Sequence, residues 1–258
     1  MTARDVSGST GAAESLCTPP PLKVLTAAAA VAVLAAVIRV FWFTPMEAVM
    51  GAVQKVFYFH LSSAWVGSLA FLAAAVSGIA YLFTRRSRWD SFGLASIEIG
   101  TLFAAITVLS GMTWARPIWN TWWTWDPRLT TTAIMLMIYI VYLLMRRSLD
   151  DPAARARFGA VYAILGFLSV PVTFLSIRML RTIHPVLFGA GNEGYGSFAL
   201  SPAMLLTLLL SLGSFTLLYA AMLWHRVRLH RIEMLLEKPQ PAPGLRDTTE
   251  SRKGGPAL

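Results

Sequence analysis

The chain alternates long apolar runs with short polar turns, and the turns are by course rich in tryptophan or in arginine. A hydrocarbon core of roughly 30 Å takes about 20 helical residues to cross. Six runs are long enough, at about 24–43, 56–83, 92–113, 129–145, 158–177 and 199–224. The first resembles a secretory signal in position only, because its apolar stretch exceeds the roughly 7–15 residues of a signal core. The pattern predicts an all-α, polytopic membrane protein with six transmembrane helices. Pro171 lies inside the fifth run and predicts a kink there, with a freed carbonyl that a neighbour must satisfy.

Around this six-helix membrane domain (24–224), residues 1–23 form a polar N-terminal tail and 225–258 a basic C-terminal tail. Residues 225–236 are able to extend the sixth helix. From Glu237 to Leu258 the sequence is rich in Pro, Gly and charge and is expected to be largely disordered. No tandem repeat is visible.

Composition agrees with a membrane origin. The 258 residues are 56% apolar and only 14% charged, and mean hydropathy is +0.59. A soluble domain carries about 25% charged residues. The net charge of +9 is unevenly placed. Sixteen Lys and Arg fall in the two tails and in the turns after the second and fourth runs, against six beside the alternate turns. Positive charge collects on the cytoplasmic side. Both termini are therefore expected in the cytoplasm, with the tryptophan-rich turn and the 178–198 loop outside. No basic stripe lies apart from the membrane flanks and tails, which argues against nucleic-acid binding. The single cysteine, Cys17, excludes a disulfide framework, and no CxxCH attaches a covalent haem.

The candidate chemistry lies on the expected outer face. Five of the nine tryptophans, Trp114, Trp119, Trp122, Trp123 and Trp125, crowd the expected loop 114–128, which closes with Asp126 and Arg128. An indole has an apolar body and one N–H donor, so one or two anchor a helix end at an interface. Five in one turn are more than anchoring needs. His60, near the outer end of the second run, and His184, in the 178–198 loop, converge on the same face. Either alone has an ordinary reading as a hydrogen-bonded or solvated imidazole. Two imidazoles on separate elements can also take both axial positions of a haem iron, with flat aromatic walls over the macrocycle. A zinc site wants a third or fourth ligand, and no further His or Cys lies on that face. Arg116, Arg128, Arg178 and Arg181 are placed either to pair with haem propionates or to meet lipid head groups.

The remaining polar features carry less. His225 and His230, in HRVRLHR, read as a basic flank that stops the sixth helix. Glu98, inside the third run, is open between a functional carboxyl and a hydrogen-bonded packing residue. Residues 189–194 match GxGxxG, but no strand precedes them, so they read as a loop rather than a dinucleotide fingerprint.

WNTWWTWD (119–126), KVFYFHLSSAW (55–65) and SIRMLRTIHP (176–185) together resemble the tryptophan-rich haem-handling proteins of cytochrome c biogenesis. In length and number of spans the chain is similar to the haem exporter protein C family (CcmC), over about residues 24–224. The resemblance implies that His60 and His184 are axial haem ligands. It also implies that Trp119, Trp122, Trp123, Trp125 and Asp126, with Trp114 and Arg128 beside them, form a haem-presenting surface. The cargo would be non-covalent, transient haem b, passed to a membrane-tethered haem chaperone (CcmE-like). The implied neighbours are ABC transporter subunits (CcmA/CcmB-like) and a small helical subunit (CcmD-like), and the implied setting is a bacterial or archaeal cytoplasmic membrane. Such a protein delivers its cargo and has no catalytic residue of the conventional kind. Two departures stand out: Asn120 where the family usually has Gly, and Met179-Leu180 where a Trp pair commonly precedes the second histidine. The alternatives are a b-type haem redox protein and a secondary transporter.

Overall fold

A computed structural model of the protein describes residues 18–47, 50–184 and 200–236. The elements are α1 (Pro20–Ile38), which continues as a π-helical turn (Arg39–Phe43), α2 (Lys55–Thr84), α3 (Ser87–Trp119), α4 (Pro127–Arg147), α5 (Pro152–Phe167), α6 (Ser169–Met179) and α7 (Pro202–Leu236). No strand occurs among the described residues. Counting α1 with its turn, and α5 with α6, six helical segments are long and apolar enough to cross a membrane. The protein is an all-helical, multi-pass membrane protein.

Local chemistry sets the helix ends. Proline opens α1, α4 and α5, where its missing N–H and fixed φ cost nothing. Asp126 caps α4 by accepting from Arg128 N, and Asp151 caps α5 by accepting from Ala153 N and Ala154 N. At the opposite ends, α2 and α3 stop on residues in the left-handed region, Arg85 and Asn120, each at φ 54°. Asparagine is the residue after glycine that best tolerates this conformation. Asn120 therefore supplies the turn that ends α3, and Arg116 donates to its Oδ1.

The hairpin of α2 and α3 forms the centre of the bundle. Helices α1 and α7 pack on one side of it, and α4, α5 and α6 on the other. Between helices in lipid, small residues allow close backbone approach. Gly67 backs onto Ala104 and Gly100 of α3, where an added Cβ would lie 3.5 Å from backbone atoms. Gly78 fits against Ala160 of α5 even more closely, since a Cβ there would meet the Ala160 carbonyl oxygen at 2.7 Å. Phe71 of α2 stacks flat on Tyr139 of α4, with ring centroids 3.5 Å apart.

The expected kink at Pro171 is a break between α5 and α6, at Leu168. At the break the Ser169 hydroxyl donates to the Gly166 carbonyl at 2.6 Å. Elsewhere the helices outrun the apolar pattern. Helix α3 continues to Trp119, so Trp114 and Trp119 stand on a helix and the connecting turn is only 120–126. Helix α7 continues through 225–236. The tail from Glu237 and the GxGxxG stretch at 189–194 lie outside the described residues.

Candidate functional site

A cavity of about 450 Å³ opens at the end of the bundle that carries the tryptophan turn. Its walls come from α2, α3, α4 and α6, with Leu212 from α7, Trp123 from the turn and His184 from the segment after α6. The α2 wall is one helical stripe, Phe57, His60, Leu61, Ala64, Trp65 and Ser68, which extends about 16 Å along the axis at 1.5 Å per residue. The lining is mostly apolar, with small residues deep in the slot and arginine near its mouth.

His60 and His184 meet across this space. Their ring centroids are 6.5 Å apart and the planes differ by 35°. On the protein side, His60 Nδ1 lies 3.1 Å from Ser110 Oγ of α3. Its ring sits over Gly111, where a Cβ would come within 3.0 Å of His60 Cε1. Neither Ser110 nor Gly111 carries a sequence signal of its own, because each matters only through a helix pairing 50 residues away. Trp114, buried with Phe57, Tyr58, Val40 and Leu208, stands 6.0 Å from the His60 ring and backs the site.

The tryptophan group divides. Trp114, Trp119 and Trp123 line the cavity with Arg128. Trp122 and Trp125 do not line it, and are 54% and 80% exposed. Trp123 makes an edge contact with Trp125 at 5.9 Å, which joins the two groups. Arg128 donates from Nη1 to the Thr173 carbonyl at 2.6 Å and lies over the Phe174 ring, so it is held by α6 at the cavity wall. Arg178 also lines the cavity. Met179 and Leu180 do not line it and are largely exposed.

Asp126 does not line the cavity either. Besides capping α4, it accepts hydrogen bonds from Thr182 Oγ1 at 2.7 Å and Ile183 N at 2.8 Å. It joins the tryptophan turn to the segment that carries His184.

The opposite end holds Glu98, His225 and His230 with their partners. Glu98 receives a bidentate Arg226 at 2.6 and 2.8 Å and lies 3.1 Å from His230 Nε2. His230 is only 9% exposed and also pairs with Glu233 at 3.3 Å. It is thus a buried partner of Glu98 rather than part of a solvated basic flank. His225 Nε2 lies 2.9 Å from Thr26 Oγ1 of α1. Among the described residues, no group of three or more His, Cys, Asp and Glu is placed to hold a metal ion.

A six-span helical bundle with two facing imidazoles in an apolar slot at one end is that of a multi-pass membrane protein with a candidate ligand site. The sequence matches the family described as "Heme exporter protein C" over residues 12–240, and the chain belongs to that family. A "Heme exporter protein C" from Bradyrhizobium diazoefficiens is 30% identical over 163 residues, covering 63% of this chain and 61% of the relative. The protein of the same description from Escherichia coli K12 is 26% identical over 201 residues, or 78% and 79%. A "putative cytochrome c biosynthesis ccmC-like mitochondrial protein" from Marchantia polymorpha is 27% identical over 143 residues, or 55% and 60%. The chain spans about three-fifths of the length of the Bradyrhizobium and Marchantia relatives it matches.

Proposed function

We propose that this protein holds haem b as a transient cargo between His60 and His184 and delivers it to a partner during cytochrome c maturation. The observation that carries the reading is the spacing of the two rings. An imidazole nitrogen binds a metal at about 2 Å and lies about 1 Å from its ring centre, so two rings sharing one iron have centroids about 6 Å apart. The measured separation is 6.5 Å. With His60 Nδ1 turned toward Ser110, Nε2 is the nitrogen left to meet a ligand. Two donors are too few for a bare metal ion but suffice for haem, whose macrocycle supplies four nitrogens.

The cavity suits the rest of the molecule. Its volume of about 450 Å³ falls within the roughly 300–1,000 Å³ of cofactor pockets. Ala64, Gly67 and Ser68 of α2 leave room for an apolar edge, Trp119 and Trp123 cover the flat faces or rim, and Arg128 and Arg178 are at hand for the propionates. Exposed Trp122 and Trp125 then meet the partner. Delivery requires both axial bonds to open, so the grip is moderate rather than maximal.

Positive-charge bias supports an orientation with both termini in the cytoplasm and the cavity on the extracytoplasmic face of a bacterial or archaeal inner membrane. Membership of a haem exporter family supports a setting beside ABC transporter components, and we propose a small helical subunit and a haem chaperone as the further partners. A resident redox haem pair across the bilayer would want a second facing pair of histidines. At the far end His225 instead contacts Thr26, and His230 contacts Glu98 and Glu233.

The test is a pulse of labelled haem followed through the solubilised protein and a co-expressed membrane-tethered acceptor. Label should pass through this chain and accumulate on the acceptor, and not when His60 or His184 is alanine. Label that stays on this chain indefinitely would favour a redox role.

A further inference from the structure

From the hydrogen bonds that leave the tryptophan turn, we infer that Asp126 and Thr182 are positioning residues whose function is to hold His184 at the cavity. Helix α6 ends at Met179, and Leu180 is extended at φ −124° and ψ 152°. The backbone that carries His184 therefore leaves regular structure five residues before the imidazole. Leu180 N still reaches the Ser176 carbonyl at 3.0 Å, but Ile183 N and His184 N bond to side chains instead, and a segment of this kind frays when unheld.

Asp126 supplies what the helix no longer does. Its Oδ2 accepts from Ile183 N at 2.8 Å, and its Oδ1 accepts from Thr182 Oγ1 at 2.7 Å and from Arg128 N at 3.0 Å. Thr182 Oγ1 in turn accepts from His184 N at 3.1 Å. A hydroxyl has one proton and two lone pairs, so donating to the carboxylate and accepting from His184 uses it consistently. Bonds to an ionised acceptor are the stronger kind. The carboxylate thus reaches the backbone of residue 183 directly and that of residue 184 through one hydroxyl. Both of its oxygens already face protein donors, which sets Asp126 apart from the cavity-lining Trp123 and Arg128 on either side of it in sequence.

Two other duties compete. Asp126 caps α4, and it could be a cargo contact. Asparagine caps a helix as well as aspartate does, but its single carbonyl oxygen cannot replace both carboxylate oxygens toward Thr182 and Ile183. Asp126→Asn therefore separates the cap from the clamp. Thr182→Val removes the bridging hydroxyl without touching α4, and Thr182→Ser restores it.

The functional meaning of the clamp rests on the haem reading above, but its geometry belongs to the protein alone, and the experiment has an arm for each. In haem-free full-length protein in nanodiscs, amide hydrogen exchange over residues 181–184 should quicken about tenfold in Asp126→Asn and Thr182→Val. That is the change expected on losing one charge-assisted hydrogen bond. It should stay at the wild-type rate in Thr182→Ser, with exchange in α2 and α3 unaltered throughout. In protein loaded with haem, the same two variants should shift from six-coordinate low-spin to five-coordinate high-spin absorption, and added imidazole should restore the low-spin form. Unchanged exchange in both variants overturns the clamp. So does a loss of haem in Asp126→Asn that imidazole does not mend while exchange stays slow, since Asp126 would then be a cargo contact. If the wild type takes up no haem, the haem reading fails and the exchange arm still decides the clamp.

Discussion

The two ends of this bundle draw on the same residue types and put them to opposite use. At the far end from the tryptophan turn, histidine and arginine close on carboxylates: Glu98 holds Arg226 and His230, and Asp90 holds Arg146 at 2.6 Å. At the tryptophan end, His60 leans on a serine hydroxyl and faces a second imidazole across an open slot. A carboxylate beside an imidazole fixes its hydrogen bonds within the protein. A hydroxyl at Nδ1 orients the ring and leaves the other nitrogen directed at whatever occupies the cavity. The first arrangement locks helices together, and the second is the one proposed to receive a ligand.

The largest stability losses are therefore expected at the locked end. Arg146→Ala leaves Asp90 without its partner beneath a guanidinium site that is only 6% exposed. Breaking a buried pair from one side costs about 3–5 kcal/mol, read as a large drop in the thermal unfolding midpoint in detergent. His184→Ala, at the open end, should move the same midpoint little. Equal losses would erase the distinction between the ends.

Next in size is Glu98→Gln, which removes the charge shared by Arg226 and His230. Glu98 and Arg226 are partly exposed, so the loss should be about 1–2 kcal/mol. A double-mutant cycle with Arg226→Gln should show most of it as coupling between the two. Haem absorption at the other end should not change.

Smaller still is Gly111→Ala. The new Cβ would press on His60 Cε1 at 3.0 Å, and the ring must yield by a few tenths of an ångström. Overpacking of this kind costs about 1 kcal/mol. It should appear as a low-spin spectrum of altered anisotropy and roughly tenfold weaker haem binding, with the fold intact.

The least effect belongs to Asp151→Ala, at an exposed helix cap between spans. The backbone N–H groups of Ala154 and Ala153 hold the Asp151 carboxyl below the usual carboxylate range. A carboxyl lowered on folding adds stability above its ordinary pKa and loses it as pH falls through the lowered value. The variant should therefore be slightly less stable near neutrality, and this difference should vanish in acid.

What the sequence made legible follows from range. The six spans are properties of contiguous apolar runs, and the break at Leu168 follows from Pro171 three residues on. Helix ends were less visible, because α3 carries Trp114 to Trp119 past the apolar run and through Pro117. His60, His184 and the tryptophans stand out by type and side, and the structure brings the two rings together. The partners of these residues did not stand out. Glu98 and His230 are 132 residues apart, and Asp126 and Ile183 are 57 apart. In those pairs the chemistry lies in the contact, and neither residue announces the other. Asn120 shows the reverse: where the resemblance implied a glycine, the left-handed φ of 54° is one that asparagine also tolerates.

The most direct test of the central claim is a haem titration of the purified, haem-free protein in nanodiscs, followed by absorption and electron paramagnetic resonance. Wild type should bind one haem with a six-coordinate, low-spin, bis-imidazole signature, and His60→Ala and His184→Ala should each lose it. The His225→Ala variant should titrate like wild type. A low-spin signature that survives in both cavity variants would contradict the account.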